Sequence, residues 1–356
     1  MSWAEPTARS AAAAPPRSSA TSRPDSRGDR AGTDLAEPLL HVTDLHVQYL
    51  TPRGPVRAVD GVSFEIAPGE VFGLAGESGS GKSTIAHALL RLLHPPAIIT
   101  GGEVRFRGRD VLSMSDAELE RFRWSEISMV FQSAMNALNP VLTVGDQIID
   151  GIQAHVAMSD RAARERAAEL LRIVGIDPTR IDSYPHELSG GMRQRAVIAC
   201  ALSLEPPLMI MDEPTTALDV VVQKEIMQQI EQLKADMGFS ILFITHDLSL
   251  LVEFSDRIAI MYAGQIVELA PARELFSNPL HPYTRGLMSS FPALTGEKVR
   301  LTGIPGSPPD MVAPPSGCRF HPRCTEVEPM FREVVPRLME VTPGHFVACH
   351  LYGAGR

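Results

Sequence analysis

The chain has 356 residues, of which 44% are hydrophobic, 21% charged and 6% aromatic, enough for one large domain or two ordinary ones. A net charge of -9 repels phosphate backbones over the surface as a whole, so no nucleic-acid partner is expected and any nucleotide must be held locally. No run reaches the roughly 18 to 20 apolar residues that span a bilayer, and Met1 to Leu40 lacks the apolar centre of a signal peptide, so a soluble, intracellular protein is expected.

Residues 1–38 carry five Arg against five acids among Ala, Pro and Ser, and bury too little apolar surface to order themselves. From Leu39 the pattern changes. Leu45, Val47 and Tyr49 alternate with polar residues, as do Val62, Phe64 and Ile66, which reads as a small antiparallel β layer. Short apolar runs at Val71 to Ala75, Ile127 to Phe131, Leu208 to Met211 and Ile241 to Thr245 alternate with helical patterns and read as buried parallel strands. Between Val141 and Ala201 the pattern is helical, with a helix predicted from a cap at Ser159 to Val174. Beyond about Ala270 the Pro and Gly density rises, as in an appended tail.

Gly76-Glu77-Ser78-Gly79-Ser80-Gly81-Lys82-Ser83-Thr84 fits G-x-x-x-x-G-K-[ST] between a predicted strand and the helical pattern Ile85 to Leu93. Glycines let successive N–H groups face phosphates, Lys82 adds a point charge, and the Ser83 hydroxyl can ligate Mg²⁺. A plain Gly/Ser turn is the alternative; Lys82 and Ser83 after the last glycine favour a nucleotide. Asp212 and Glu213 close the run Leu208 to Met211. By themselves they read equally as solvated turn residues. Downstream of the phosphate loop, Asp212 reads as a Mg²⁺ ligand and Glu213 as the group that polarises the attacking water.

Leu188-Ser189-Gly190-Gly191-Met192-Arg193-Gln194-Arg195 is a second glycine-rich turn at a helix start, an anion site or a simple N-cap. With the loop and acids in this order, the stretch from about Leu39 to Ala270 resembles an ATP-binding cassette protein, with Ser189, Gly190 and Gly191 in the family signature. The resemblance implies an α/β P-loop NTPase cassette over residues 39–270. Its RecA-like parallel sheet would carry an antiparallel β subdomain and a helical signature subdomain at about 133–200. It implies two cassettes stacked head to tail, each signature serving the partner's ATP. It also implies roles for Gln132, touching Mg²⁺ and water, and for His246, reaching the γ-phosphate. Ala217-Leu218-Asp219 resembles the loop crossing the dimer interface. Tyr49 is the candidate to stack on adenine, with a plain core role as the alternative.

Two classes of function stay open: an importer motor under two membrane subunits, or a cassette protein acting on chromosomes, DNA damage or ribosomes. The short span from Lys82 to Ser189 leaves no room for the long coiled coils of chromosome-type members, and one cassette per chain differs from the ribosome type. Phe131 to Pro140 and Asn278 to Thr284 resemble the dipeptide, oligopeptide and nickel importer ATPases, as does the region 271–356 with its cysteines. This implies a peripheral subunit on the cytoplasmic face of the cell membrane. Two permease subunits and a second cassette would be its partners, a hetero-pair with a homodimer compatible, and an extracytoplasmic binding protein would supply cargo. Peptides are the expected cargo, nickel the runner-up.

Cys318, Cys324 and Cys349 sit in a Pro-rich segment with no obvious apolar core, where small regions often need a staple. Members of the resembled group carry a fourth cysteine seven positions after the second, and some hold an iron–sulfur cluster; here Phe331 stands there. Three thiolates with His321, His345 or His350 leave an iron–sulfur cluster, Zn²⁺ and no metal open.

Overall fold

The computed structural model describes residues 37–132, 137–216, 218–289 and 303–353, and Glu37–Arg356 forms one compact unit. Strands β1 (Leu40–Thr51) and β2 (Gly54–Ile66) pair antiparallel with Leu40 opposite Ile66. Strand β3 (Val71–Ala75) then runs into the glycine-rich loop and helix α1 (Lys82–Leu89). Strands β4 (Ala97–Phe106) and β5 (Arg109–Asp110) return to the first pair and complete a small sheet ordered β2-β1-β4-β5. Helix α2 (Asp116–Phe122) leads to β6 (Ile127–Val130). Three helices follow as an insert, α3 (Val144–Gln153), α4 (Asp160–Ile173) and α5 (Gly190–Leu202). The chain resumes the large sheet with β7 (Leu208–Asp212), α6 (Val220–Met237), β8 (Ser240–Ile244) and α7 (Leu248–Phe254). It continues through β9 (Arg257–Tyr262), β10 (Gln265–Pro271), α8 (Ala272–Ser277) and α9 (Pro282–Ser289) to β11 (Met339–Thr342) and β12 (His345–Val347).

The large sheet is ordered β11-β12-β10-β9-β3-β8-β7-β6, with β9, β3, β8, β7 and β6 parallel and the rest antiparallel. Each of the four predicted apolar runs is one of its parallel strands. Successive side chains of a strand point to opposite faces, and both faces here are covered. Val71, Met209, Met211, Ile241 and Phe243 enter the core shared with the helical insert. Phe72, Leu208, Ile210, Leu242 and Ile244 enter the core shared with α1 and the small sheet. Each large aliphatic side chain so buried stabilises the fold by about 1.5–3 kcal/mol.

The helix expected from Ser159 to Val174 is α4, with Ser159 accepting from the N–H of Ala162 as N-cap and Val174 at the C-cap. The segment after Ala270 is bound into the sheet, since β12 pairs with β10 through Glu268 opposite Val347. Among the described residues no helix is long and apolar enough to cross a membrane.

Candidate nucleotide site

Strand β3 ends at Ala75, and the chain must turn at once to enter α1. Gly76 has φ 146° and Gly81 φ 106°. A Cβ on Gly76 would lie 2.2 Å from the carbonyl oxygen of Met261, and one on Gly81 2.2 Å from that of Ala58. Only glycine fits either position, by conformation and by space. Gly81 caps α1 without any side-chain bond, so the first N–H groups of the helix remain available to an anion at its positive end. Ser80 and Lys82 are buried, while Ser78 and Gly79 are exposed at the rim.

The Lys82 ammonium donates to the carbonyl oxygens of Gly76 at 2.8 Å and Glu77 at 3.0 Å. Burial lowers its pKa, and the charges of Glu213, Asp212 and Glu77 oppose that shift. Tyr49, half-buried on β1, places its hydroxyl 3.3 Å from Thr84 Oγ1 at the start of α1.

The acids meet this loop from the end of β7. Asp212 is 1% exposed, and burial raises its pKa against a hydrogen bond from Ser83. Its Oδ1 has no hydrogen-bond partner. A buried carboxylate oxygen left without a partner, next to a serine hydroxyl, fits a cation. The adjacent Glu213 has φ 48°, a region costly for a residue with a Cβ. Its carboxylate accepts from Gln132 Nε2 at 3.0 Å and from the Thr216 hydroxyl at 3.1 Å, and Oε1 lies 3.3 Å from His246 Nδ1. The fold therefore brings Gln132, Glu213 and His246 from three strand ends to one point. Thr216 was not singled out in the sequence, where a threonine three residues after an acid carries no signal of its own.

Residues 59–216 match the ABC transporter family, and residues 267–330 match the oligopeptide/dipeptide transporter C-terminal region. The chain is 44% identical over 318 residues to the dipeptide transport ATP-binding protein of Bacillus subtilis, covering 88% of this chain and 95% of that protein. It is 42% identical over 320 residues to that of Caldanaerobacter subterraneus, covering 89% and 98%. A solved dimeric ATP-binding cassette, in a post-hydrolysis state bound to ADP and Pi, has a TM-score of 0.59 at 30% identity, covering 66% of this chain and 99% of that one.

The chain belongs to the ATP-binding cassette family.

In this cassette, a transporter ATPase, the signature opens α5. Ser189 is its N-cap and accepts from the N–H of Met192 at 3.3 Å. Among the described residues no hydrogen bond or ion pair joins Ser189, Gly190 or Gly191 to the phosphate loop of the same cassette. Asp219 caps α6, accepting from the N–H groups of Val221 and Val222. Ala217 and four residues of the Phe131 to Pro140 motif, Ser133 to Asn136, lie outside the described residues.

Of the three readings left open for the tail, an iron–sulfur cluster or Zn²⁺ does not fit the residues present. Among the described residues no group of three or more His, Cys, Asp or Glu side chains is placed to hold an ion. Burial raises the pKa of all three thiols, Cys349 to about 11. Each nearby histidine has one ring nitrogen in use: His321 Nδ1 with the carbonyl of Cys318, His345 Nε2 with the Glu268 carboxylate at 2.8 Å, and His350 Nε2 with the carbonyl of Val334. Phe331, where the resembled group has its fourth cysteine, is buried. Its carbonyl accepts from the N–H of Cys318 at 2.8 Å, and its ring lies 5.1 Å from that of His350. An aromatic side chain thus supplies the packing there.

Proposed function

We propose that this cassette is the ATP-hydrolysing motor of an importer of dipeptides and oligopeptides. The observation that carries the chemistry is the convergence of Gln132, Thr216 and His246 on Glu213, beside the Ser83–Asp212 pair and the phosphate loop. Residues Gly76 to Thr84 cradle the phosphates with backbone N–H groups and the Lys82 charge, and Tyr49 stacks on the adenine. Ser83, Asp212 and Gln132 would hold Mg²⁺, which when bound neutralises charge on the phosphate oxygens. Glu213 accepts a proton from water as the water oxygen bonds to the γ-phosphorus and the bond to the bridging oxygen breaks, leaving ADP and phosphate. Gln132 and Thr216 orient that carboxylate, and His246 faces the γ-phosphate.

The second half of each site is the signature of another cassette. Ser189, Gly190 and Gly191 open α5 and make no hydrogen bond to their own phosphate loop among the described residues, which supports that division of labour. We take the partner to be a different ATPase chain, with two permease subunits above the pair at the cytoplasmic face of the membrane and an extracytoplasmic binding protein delivering cargo. The peptide assignment is supported by the match over residues 267–330 and by the names of the relatives. Uptake of labelled dipeptide by cells deleted for this chain tests it. Wild-type chain should restore uptake and Lys82→Ala should not, with Ni²⁺ uptake unaffected throughout. Loss of Ni²⁺ uptake with peptide uptake intact would refute the cargo.

A further inference from the structure

The residue after the first glycine of the phosphate loop is an acid, and an uncompensated carboxylate beside a polyphosphate site would repel its ligand. The chain compensates it from the far end of its sequence. Arg323 reaches Glu77 with both terminal nitrogens, Nη1 to Oε2 at 2.8 Å and Nη2 to Oε1 at 3.0 Å. Its Nε donates to the carbonyl of Pro305 at 2.8 Å, and its guanidinium lies 5.7 Å from the Tyr262 ring centroid. The Arg323 side chain is 6% exposed and that of Glu77 25%, so the pair is partly shielded from solvent and salt. Tyr283 holds the same loop residue by its backbone, its hydroxyl accepting from the N–H of Glu77 at 2.9 Å. Tyr283, Tyr262 and Phe320 pack ring on ring, with centroids 4.6 to 5.4 Å apart, which fixes both groups.

The peptide so gripped is the one that holds the lysine, since Lys82 donates to the carbonyls of Gly76 and Glu77. We infer that the segment after β10 clamps the phosphate loop. Arg323 and Tyr283 act as positioning residues that neutralise Glu77 and fix the Gly76–Glu77 peptide, and so set the affinity for nucleotide. A contact serving only to attach the tail would not need a partly buried bidentate pair on this residue, because Phe320 and the paired strands β12 and β10 already bury apolar surface and backbone. This inference rests on the reading of the loop as the ATP site.

The test is Mg-ATP affinity by calorimetry on the full chain, with the melting midpoint measured without nucleotide. Arg323→Gln should weaken binding roughly tenfold, and Arg323→Lys should recover only part of that because the fork is lost. Adding Glu77→Gln to Arg323→Gln should restore most of the affinity, because the repelling charge is gone. Tyr283→Phe keeps the ring packing and removes only the acceptor, and should weaken binding by about threefold. A drop in melting midpoint with unchanged affinity in these variants would overturn the clamp and leave the ATP site standing. Failure of the wild-type chain to bind Mg-ATP would overturn the ATP site and the clamp together.

Discussion

Lys82 is buried among its own loop's carbonyls, with Glu213, Asp212 and Glu77 close enough to counter the burial that lowers its pKa. Lys82→Ala removes the charge that answers the phosphates, and should weaken Mg-ATP binding roughly 30- to 100-fold, the worth of a buried charge-assisted contact. Equilibrium titration with ATP checks this, and binding within threefold of wild type would contradict it. Much at this scale was readable in the chain itself. The loop glycines, Lys82 and the Asp212–Glu213 pair are local signals, because each motif is contiguous and its chemistry needs that order. Arg323 and Tyr283 were invisible for the opposite reason: each meets Glu77 across more than half of the chain, and neither carries a local pattern that points to it.

At the scale of elements, α6 begins where the loop that leaves Glu213 ends. Asp219 accepts from the N–H groups of Val221 and Val222, and Gly238, with φ 76°, ends the helix in the left-handed cap conformation. Asp219→Ala should lower stability by about 1 kcal/mol, read as an earlier midpoint in denaturant unfolding; an unchanged midpoint would show that the cap contributes nothing. The tail makes the second case. With no group of three or more His, Cys, Asp or Glu side chains placed to hold an ion among the described residues and Phe331 packed in the interior, anaerobically purified full chain should contain neither iron nor zinc at one equivalent, and stoichiometric metal would contradict this packing. The parallel strands were legible as apolar runs because burial on both faces leaves a continuous signature. Strands β11 and β12 were not: at four and three residues they are too short for a period to show, and what recruits them is the pairing of β12 with β10, far away in the sequence, and of β11 with β12.

For the whole molecule, the architecture divides labour between a sheet whose strand ends bring Asp212, Gln132, Glu213 and His246 together beside Ser83 of α1 and a helical insert that carries Ser189 to Gly191 on a separate helix start. On the proposed reading the signature serves the loop of a second cassette, so that turnover should depend on assembly. The central claim, that Glu213 is the base of an ATPase completed by a partner, is tested most directly by the fate of ATP on Glu213→Gln. The amide keeps the shape of the side chain and loses the ability to take the water's proton. The variant should bind Mg-ATP as wild type does, lose turnover by at least about a hundredfold, and accumulate as a closed pair of cassettes retaining unhydrolysed ATP. Hydrolysis within a few-fold of wild type, with no paired, ATP-loaded species, would contradict the account.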